Sequence, residues 1–275
     1  MTGIEPFVTI YHFDYPMELE TRYESWMSSQ MKDDFVDFAN ICFEEFGDRV
    51  KYWMTINEPE MVAILGYKKG NFPPAHCSPP FGNCSMGNSD REPLIVMHNQ
   101  LLAHAKAVSL YRTHFQASGS IGITISMQMY EPLDQQLDRK AADRFLAFHV
   151  GWIYDPIVYG DYPKKMREIL GSELPSFSDE DKKYIKGSLD FISINHYTTK
   201  YVKDCFHSSC TDEANRPINA FTETTPYRNG ILIGDQMGMP GLYVVPRGME
   251  KVINYIKQKY PNQSIFVTEN VFIVN

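Results

Sequence analysis

Five short apolar segments, 6–12, 52–57, 121–126, 190–195 and 265–269, recur along the 275-residue chain with helix-patterned sequence between them. Each is nearly continuous in apolar residues instead of alternating with polar ones, so each predicts a strand covered on both faces. Buried strands that alternate with helices are the sequence form of repeated βαβ units, and such units build a parallel sheet.

The intervening helices follow from spacing. Phe35, Phe38, Ala39, Cys42, Phe43 and Phe46 fall three or four apart, with Asp33, Asp37, Glu44 and Glu45 on the other face and Gly47 at the end. Leu94, Met97, Leu101, Ala105 and Val108 make a second stripe. Ala141, Phe145, Phe148 and Trp152 make a third, and Met249, Val252, Ile256 and Tyr260 a fourth. All four predict core-facing surfaces.

Two stretches rich in Gly, Pro, Asn and Ser, 66–90 and 203–239, follow the second and fourth strands and read as loops. In a parallel barrel the loops after the strands build the active-site face, so both are expected to shape a cleft. Five strands cannot close an eight-stranded barrel, and the sequence ends six residues after Glu269. The fold expected is α/β: a (β/α)8 TIM barrel present incompletely, about strands three to seven, as one partial domain over 1–275.

A 43% hydrophobic content supplies a core, while a net charge of −8 without any Lys/Arg run longer than a pair argues against nucleic acid or an anionic membrane surface as partner. No segment has the length of a membrane span, and Met1 to Pro6 lacks the order of a signal peptide. Cys77 with Cys84, and Cys205 with Cys210, are close pairs in polar sequence and suit disulfide-closed loops in an oxidising compartment; free thiols in a reducing one are the alternative. Asn83 and Asn262 open glycosylation sequons, which agrees with secretion.

Glu58 and Glu269 stand at the C-terminal ends of the second and fifth strands, where a barrel places its chemistry. Two carboxylates brought to one sugar ring can break a glycosidic bond. Pro59 should push Glu58 out of the α region and hold it extended. Asn57 offers an amide to a substrate hydroxyl, and His12, Asn195 and Tyr197, which end the first and fourth strands on the same face, are further candidate substrate-binding groups. Tyr11, Phe13, Tyr197 and Tyr201 are candidate aromatic walls. A metal site from His12, Asp14 and His196 is disfavoured, since these spacings rarely converge without a further ligand.

Thr55-Ile56-Asn57-Glu58-Pro59 and Val267-Thr268-Glu269-Asn270 resemble the acid/base and nucleophile motifs of glycoside hydrolase family one, plant β-glucosidases in particular. Gly3 to Asp14, Gly151-Trp152, Asp155-Pro156, Tyr159 to Pro163 and Asp190 to Tyr197 resemble that family in the order it uses, so the resemblance extends to Asn270. It implies a cofactor-free (β/α)8 enzyme that hydrolyses small-molecule β-glucosides with retention. Glu58 would protonate the leaving oxygen, and Glu269 would form the covalent glucosyl intermediate. Asn57 and His12 would bind sugar hydroxyls, and Tyr197 would bond Glu269. The loop 77–93 and the pair Cys205 and Cys210 resemble the plant branch, including enzymes of monolignol glucosides such as coniferin, found in cell wall or vacuole.

Departures from the pattern are Phe13 where the family has tryptophan and Val271 where it has glycine. The early strands with a sugar-binding glutamine, and the last strand region with a tryptophan and a glutamate, have no counterpart in the sequence. Lost sugar contacts weaken transition-state binding, so this chain by itself is expected to be catalytically weak or inactive, with at most sugar binding.

Overall fold

The computed structural model describes residues 3–115 and 119–270, so Val271 lies outside the described residues. The strands are β1 (Phe7–Tyr11), β2 (Tyr52–Asn57), β3 (Ser120–Ser126), β4 (Met129–Pro132), β5 (Phe191–Asn195), β6 (Thr199–Asp204), β7 (Thr222–Thr225), β8 (Tyr227–Arg228), β9 (Ile231–Leu232) and β10 (Ser264–Glu269). The five apolar segments become one parallel sheet in the order β1-β2-β3-β5-β10. Successive strands are neighbours and helices cover the outer face, as expected of part of a (β/α)8 barrel.

The sheet curls. Phe7 on one edge strand and Phe266 on the other meet edge-on with ring centroids 5.0 Å apart. Phe7 also stacks on Tyr52 at 4.3 Å, and Phe191 meets Phe266 at 5.1 Å. The four rings, from buried Phe191 to Phe7 at 37% exposure, form a layer that ties the two edges together by side chains where, among the described residues, no ladder of hydrogen bonds joins them. Gly122 leaves room for this layer: a Cβ there would lie 2.7 Å from the Phe191 carbonyl oxygen and 2.8 Å from its ring.

The expected helix stripes form, with one correction. Phe35, Ala39 and Phe43 of the helix Met31–Phe46 are buried, but Phe38 and Phe46 are about half exposed at 50% and 48%. Phe38 and Phe46 therefore lie off the core stripe, whose width is set by the helix Glu92–His114 packed against it. In that second helix Leu94, Met97, Leu101, Ala105 and Val108 are all buried.

The segment 203–239, expected as loop, is partly regular. Its first residues complete β6, which pairs with β4 and β7 in a three-stranded sheet. A β8–β9 hairpin turns at Asn229-Gly230, both with positive φ. Short strands of mixed polarity such as Thr222-Glu223-Thr224-Thr225 carry no apolar run, which hides them from a reading based on apolar runs. Disulfides Cys77–Cys84 and Cys205–Cys210 close the two expected loops, and Cys42 is free. Asn83 and Asn262 are both exposed.

Candidate active site

The C-terminal ends of β2, β5 and β10 converge on one side chain. Asn195, fully buried at the end of β5, has its Nδ2 2.9 Å from Glu58 Oε1, 2.9 Å from Glu269 Oε1 and 3.0 Å from Asn57 Oδ1. Both glutamate oxygens therefore lie within two hydrogen-bond lengths of each other, under about 6 Å. A ceiling of that size accommodates the roughly 5 Å used by a carboxylate pair with direct nucleophilic attack.

Two bulges produce this convergence. Along β10, Val267 pairs with Ile194 but Glu269 with Asn195, so Thr268 is the extra residue. Neighbours on a regular strand point to opposite faces, whereas here Thr268 and Glu269 both reach Asn195. Thr268 Oγ1 lies 2.7 Å from Asn195 Oδ1 and donates to it, which fixes the amide with its N–H groups toward the carboxylates. A second irregularity separates Met54 and Asn57 of β2 in their pairing with β3.

Glu58 departs from expectation. It is not extended: φ 45° and ψ 60° put it in the left-handed region, as the residue before a short helical turn at Pro59–Met61. Proline disfavours the right-handed helical region for its predecessor, and the bulged strand end turns the chain the other way. A glutamate there is strained, by about 1–3 kcal/mol, and such strain gathers at functional positions. Its N–H is bonded to the Thr124 carbonyl at 2.8 Å, which holds the turn.

The carboxyls differ in environment. Burial first, and then the nearby charge of Glu269, push the Glu58 carboxyl above its ordinary value, although the Asn195 amide works against this. The two N–H groups of Asn195 face three acceptors, which also favours keeping one carboxyl protonated. Glu269 is half-buried and accepts a hydrogen bond from the Tyr197 hydroxyl on Oε2. Burial, then that carboxylate, raise the Tyr197 hydroxyl in turn, so the proton stays on tyrosine.

His12 Nε2 lies 3.1 Å from Asn57 Nδ2 and its ring is exposed on the open side. Asn195, expected to bind substrate, directs its amide to the two glutamates and Asn57. Tyr11 is not a wall: it is 4% exposed and accepts from the Trp26 indole at 3.2 Å. Tyr201 is buried too, beneath the Arg228 guanidinium. Phe13 is half-buried against Phe72. Among the described residues no group of three or more His, Cys, Asp or Glu side chains is placed to hold a metal, and His196 Nδ1 faces the Met127 carbonyl at 2.7 Å.

Glu60 is a residue the motif does not single out. It is 2% exposed, and Oε1 accepts the Ser126 N–H at 2.5 Å while Oε2 has no partner among the described residues. Burial, then the charge of Glu58, raise its carboxyl well above the ordinary value. A glutamate just after a proline, in sequence that reads as a helix start, gives no hint of such burial.

The profile of Glycosyl hydrolase family 1 matches residues 1–274. The chain belongs to this family. The match runs past Asn270, where the resemblance of motifs was expected to stop. Among relatives, Beta-glucosidase 47 of Arabidopsis thaliana is 48% identical over 275 residues, 98% of this chain and 50% of that protein. Probable inactive beta-glucosidase 14 of Oryza sativa subsp. japonica is 46% identical over 98% of this chain and 52% of its own length. Coniferin beta-glucosidase of Pinus contorta is 47% identical over 98% and 53%. This family 1 chain thus spans about half the length of these relatives. A solved rice β-glucosidase superposes with a TM-score of 0.93 at 42% identity, covering 98% of this chain and 57% of that one; a mutant of it has been solved in a covalent complex with glucose.

Proposed function

We propose that this family 1 chain carries both carboxylates of a retaining β-glucosidase acting on plant phenolic glucosides. The observation that carries the proposal is the Asn195 amide, 2.9 Å from one oxygen of each glutamate. Glu58, buried and with its carboxyl raised, is the glutamate suited to give the leaving oxygen its proton. Glu269, partnered by Tyr197 and Asn195, attacks the anomeric carbon from the opposite face and forms the glucosyl ester. Once Glu269 is esterified its charge is gone, one cause of the raised Glu58 value disappears, and Glu58 is freer to take a proton from water. The names of the relatives support β-glucoside as substrate, and the pine enzyme's name supports a coniferin-like aglycone. The two disulfides and exposed sequons support secretion.

Glu58→Gln is the test. A glucoside with a poor leaving group should lose roughly a hundredfold or more in turnover, and one with a good leaving group much less. Equal loss on both, or none, contradicts the assignment.

A second reading is sugar binding with weak or no turnover by this segment alone. It is favoured by the exposure of β10: Val267 is 46% exposed and Glu269 only half-buried, so water reaches the nucleophile.

A further inference from the structure

Beside the carboxylates lies a cavity of about 490 Å³ that shares Ser126 and Glu60 with their surroundings. One part of its lining is aromatic, Tyr130 and Phe145, with ring centroids 4.4 Å apart. Another is cationic: Lys68, Lys69 and Lys200. Lys68 is only 8% exposed, and its ammonium has no ion pair among the described residues; it donates to Asn219 Oδ1 at 2.8 Å and lies 5.6 Å from the Phe81 ring centroid. Glu213 and then Asp90 act on it from longer range, and Asp90 is engaged by Arg216. Lys69 and Lys200 form no ion pair among the described residues either, and they repel each other.

A buried ammonium without a counter-charge is costly. Here burial and Lys69 together lower Lys68 to about 8, and burial and Lys69 lower Lys200 as well. Burial, then the charge of Glu58, push the Glu60 carboxyl well above its ordinary value, so it opposes the lysines less than an exposed glutamate would. Its unpartnered Oε2 remains able to bond a polar substituent. The acids Glu213 and Glu223 also line the cavity; among the described residues neither forms an ion pair with the lysines, and Glu213 offsets Lys68 only from longer range. Three lysines against Glu213 and Glu223 leave a positive charge for an anion to balance, and Tyr130 and Phe145, the latter stacked with His149 at 3.9 Å, give its body an apolar wall.

We propose that the cavity binds a small aromatic carboxylate, with its ring against Tyr130 and Phe145 and its carboxylate on Lys68, Lys69 and Lys200, and that this is the leaving-group part of the substrate. The choice of leaving group rests on the glycosidase reading above; the binding of the acid does not. In the full chain, 4-hydroxybenzoate should bind at least about tenfold more tightly than neutral 4-hydroxybenzyl alcohol by calorimetry. The double variant Lys69→Gln/Lys200→Gln should lose that preference. These positions are partly exposed, so the variant avoids the folding risk of altering Lys68, and its circular dichroism checks that it has folded. Equal binding of the two probes, or a preference that survives in the folded variant, overturns the site. Calorimetry needs no turnover, so failure of the glucosidase reading stays distinguishable. For the leaving-group placement, the ratio of kcat/KM for 4-carboxyphenyl over 4-(hydroxymethyl)phenyl β-glucoside should fall about tenfold in the variant, and an unchanged ratio overturns it.

Discussion

Thr268 donates its hydroxyl to Asn195 Oδ1 at 2.7 Å, and that bond decides which way the Asn195 amide faces. With the oxygen occupied, the nitrogen is directed at Glu58 and Glu269. The bulge that brings Thr268 round to Asn195 is therefore part of how the two carboxylates are set.

Thr268→Val keeps the shape and removes the donor. The amide is then free to turn, and kcat/KM should fall roughly tenfold with little change in melting temperature. Activity and circular dichroism measured on one preparation check this; a large loss of fold would mean that Thr268 acts through stability instead.

Glu60 should impose a pH dependence on stability. Its folded value is raised, so the folded chain holds a proton that the unfolded chain releases above about 4.5. Its contribution is fully present below that pH and is lost as pH rises toward the folded value, by up to about 1.4 kcal/mol per pH unit. Glu60→Gln should flatten this slope above about pH 4.5 in urea titrations.

The aromatic layer across the sheet should matter more than the exposure of β10 suggests. Phe266→Ala removes the ring that touches Phe7 and Phe191 and should cost about 2–3 kcal/mol in denaturant unfolding, whereas Val267→Ala, on the exposed side, should cost under about 1 kcal/mol.

Gly82 packs on a disulfide. A Cβ there would lie 2.5 Å from Cys77 Sγ and 3.2 Å from the Lys69 carbonyl oxygen. Gly82→Ala should destabilise by about 1–3 kcal/mol, and reduction of the Cys77–Cys84 bridge should shrink the difference between variant and parent.

Much of this fold was legible because continuous apolar runs and three-or-four spacing report burial directly: β2 occupies 52–57 as expected, and the stripe from Leu94 to Val108 is wholly buried. The second sheet was not, because Met129–Pro132 and Thr222–Thr225 carry no such runs. In the site, Glu58 and Glu269 stood out by their strand-end positions. The left-handed turn at Glu58, the pairing of Thr268 with Asn195 and the burial of Glu60 did not, since each depends on register between strands distant in sequence. Tyr11 and Tyr201 show the converse: a tyrosine near a strand end offers the same ring to a sugar or to the core, and only packing decides.

The most direct measurement is trapping with a 2-deoxy-2-fluoroglucoside carrying a good leaving group, followed by mass analysis of the digested chain. A glucosyl-enzyme that forms and persists should appear as a single label on the peptide bearing Glu269, lost in Glu269→Gln and retained in Glu58→Gln. A chain that takes no label, or takes it on another residue, would contradict the central claim that Glu269 is the nucleophile of a retaining site.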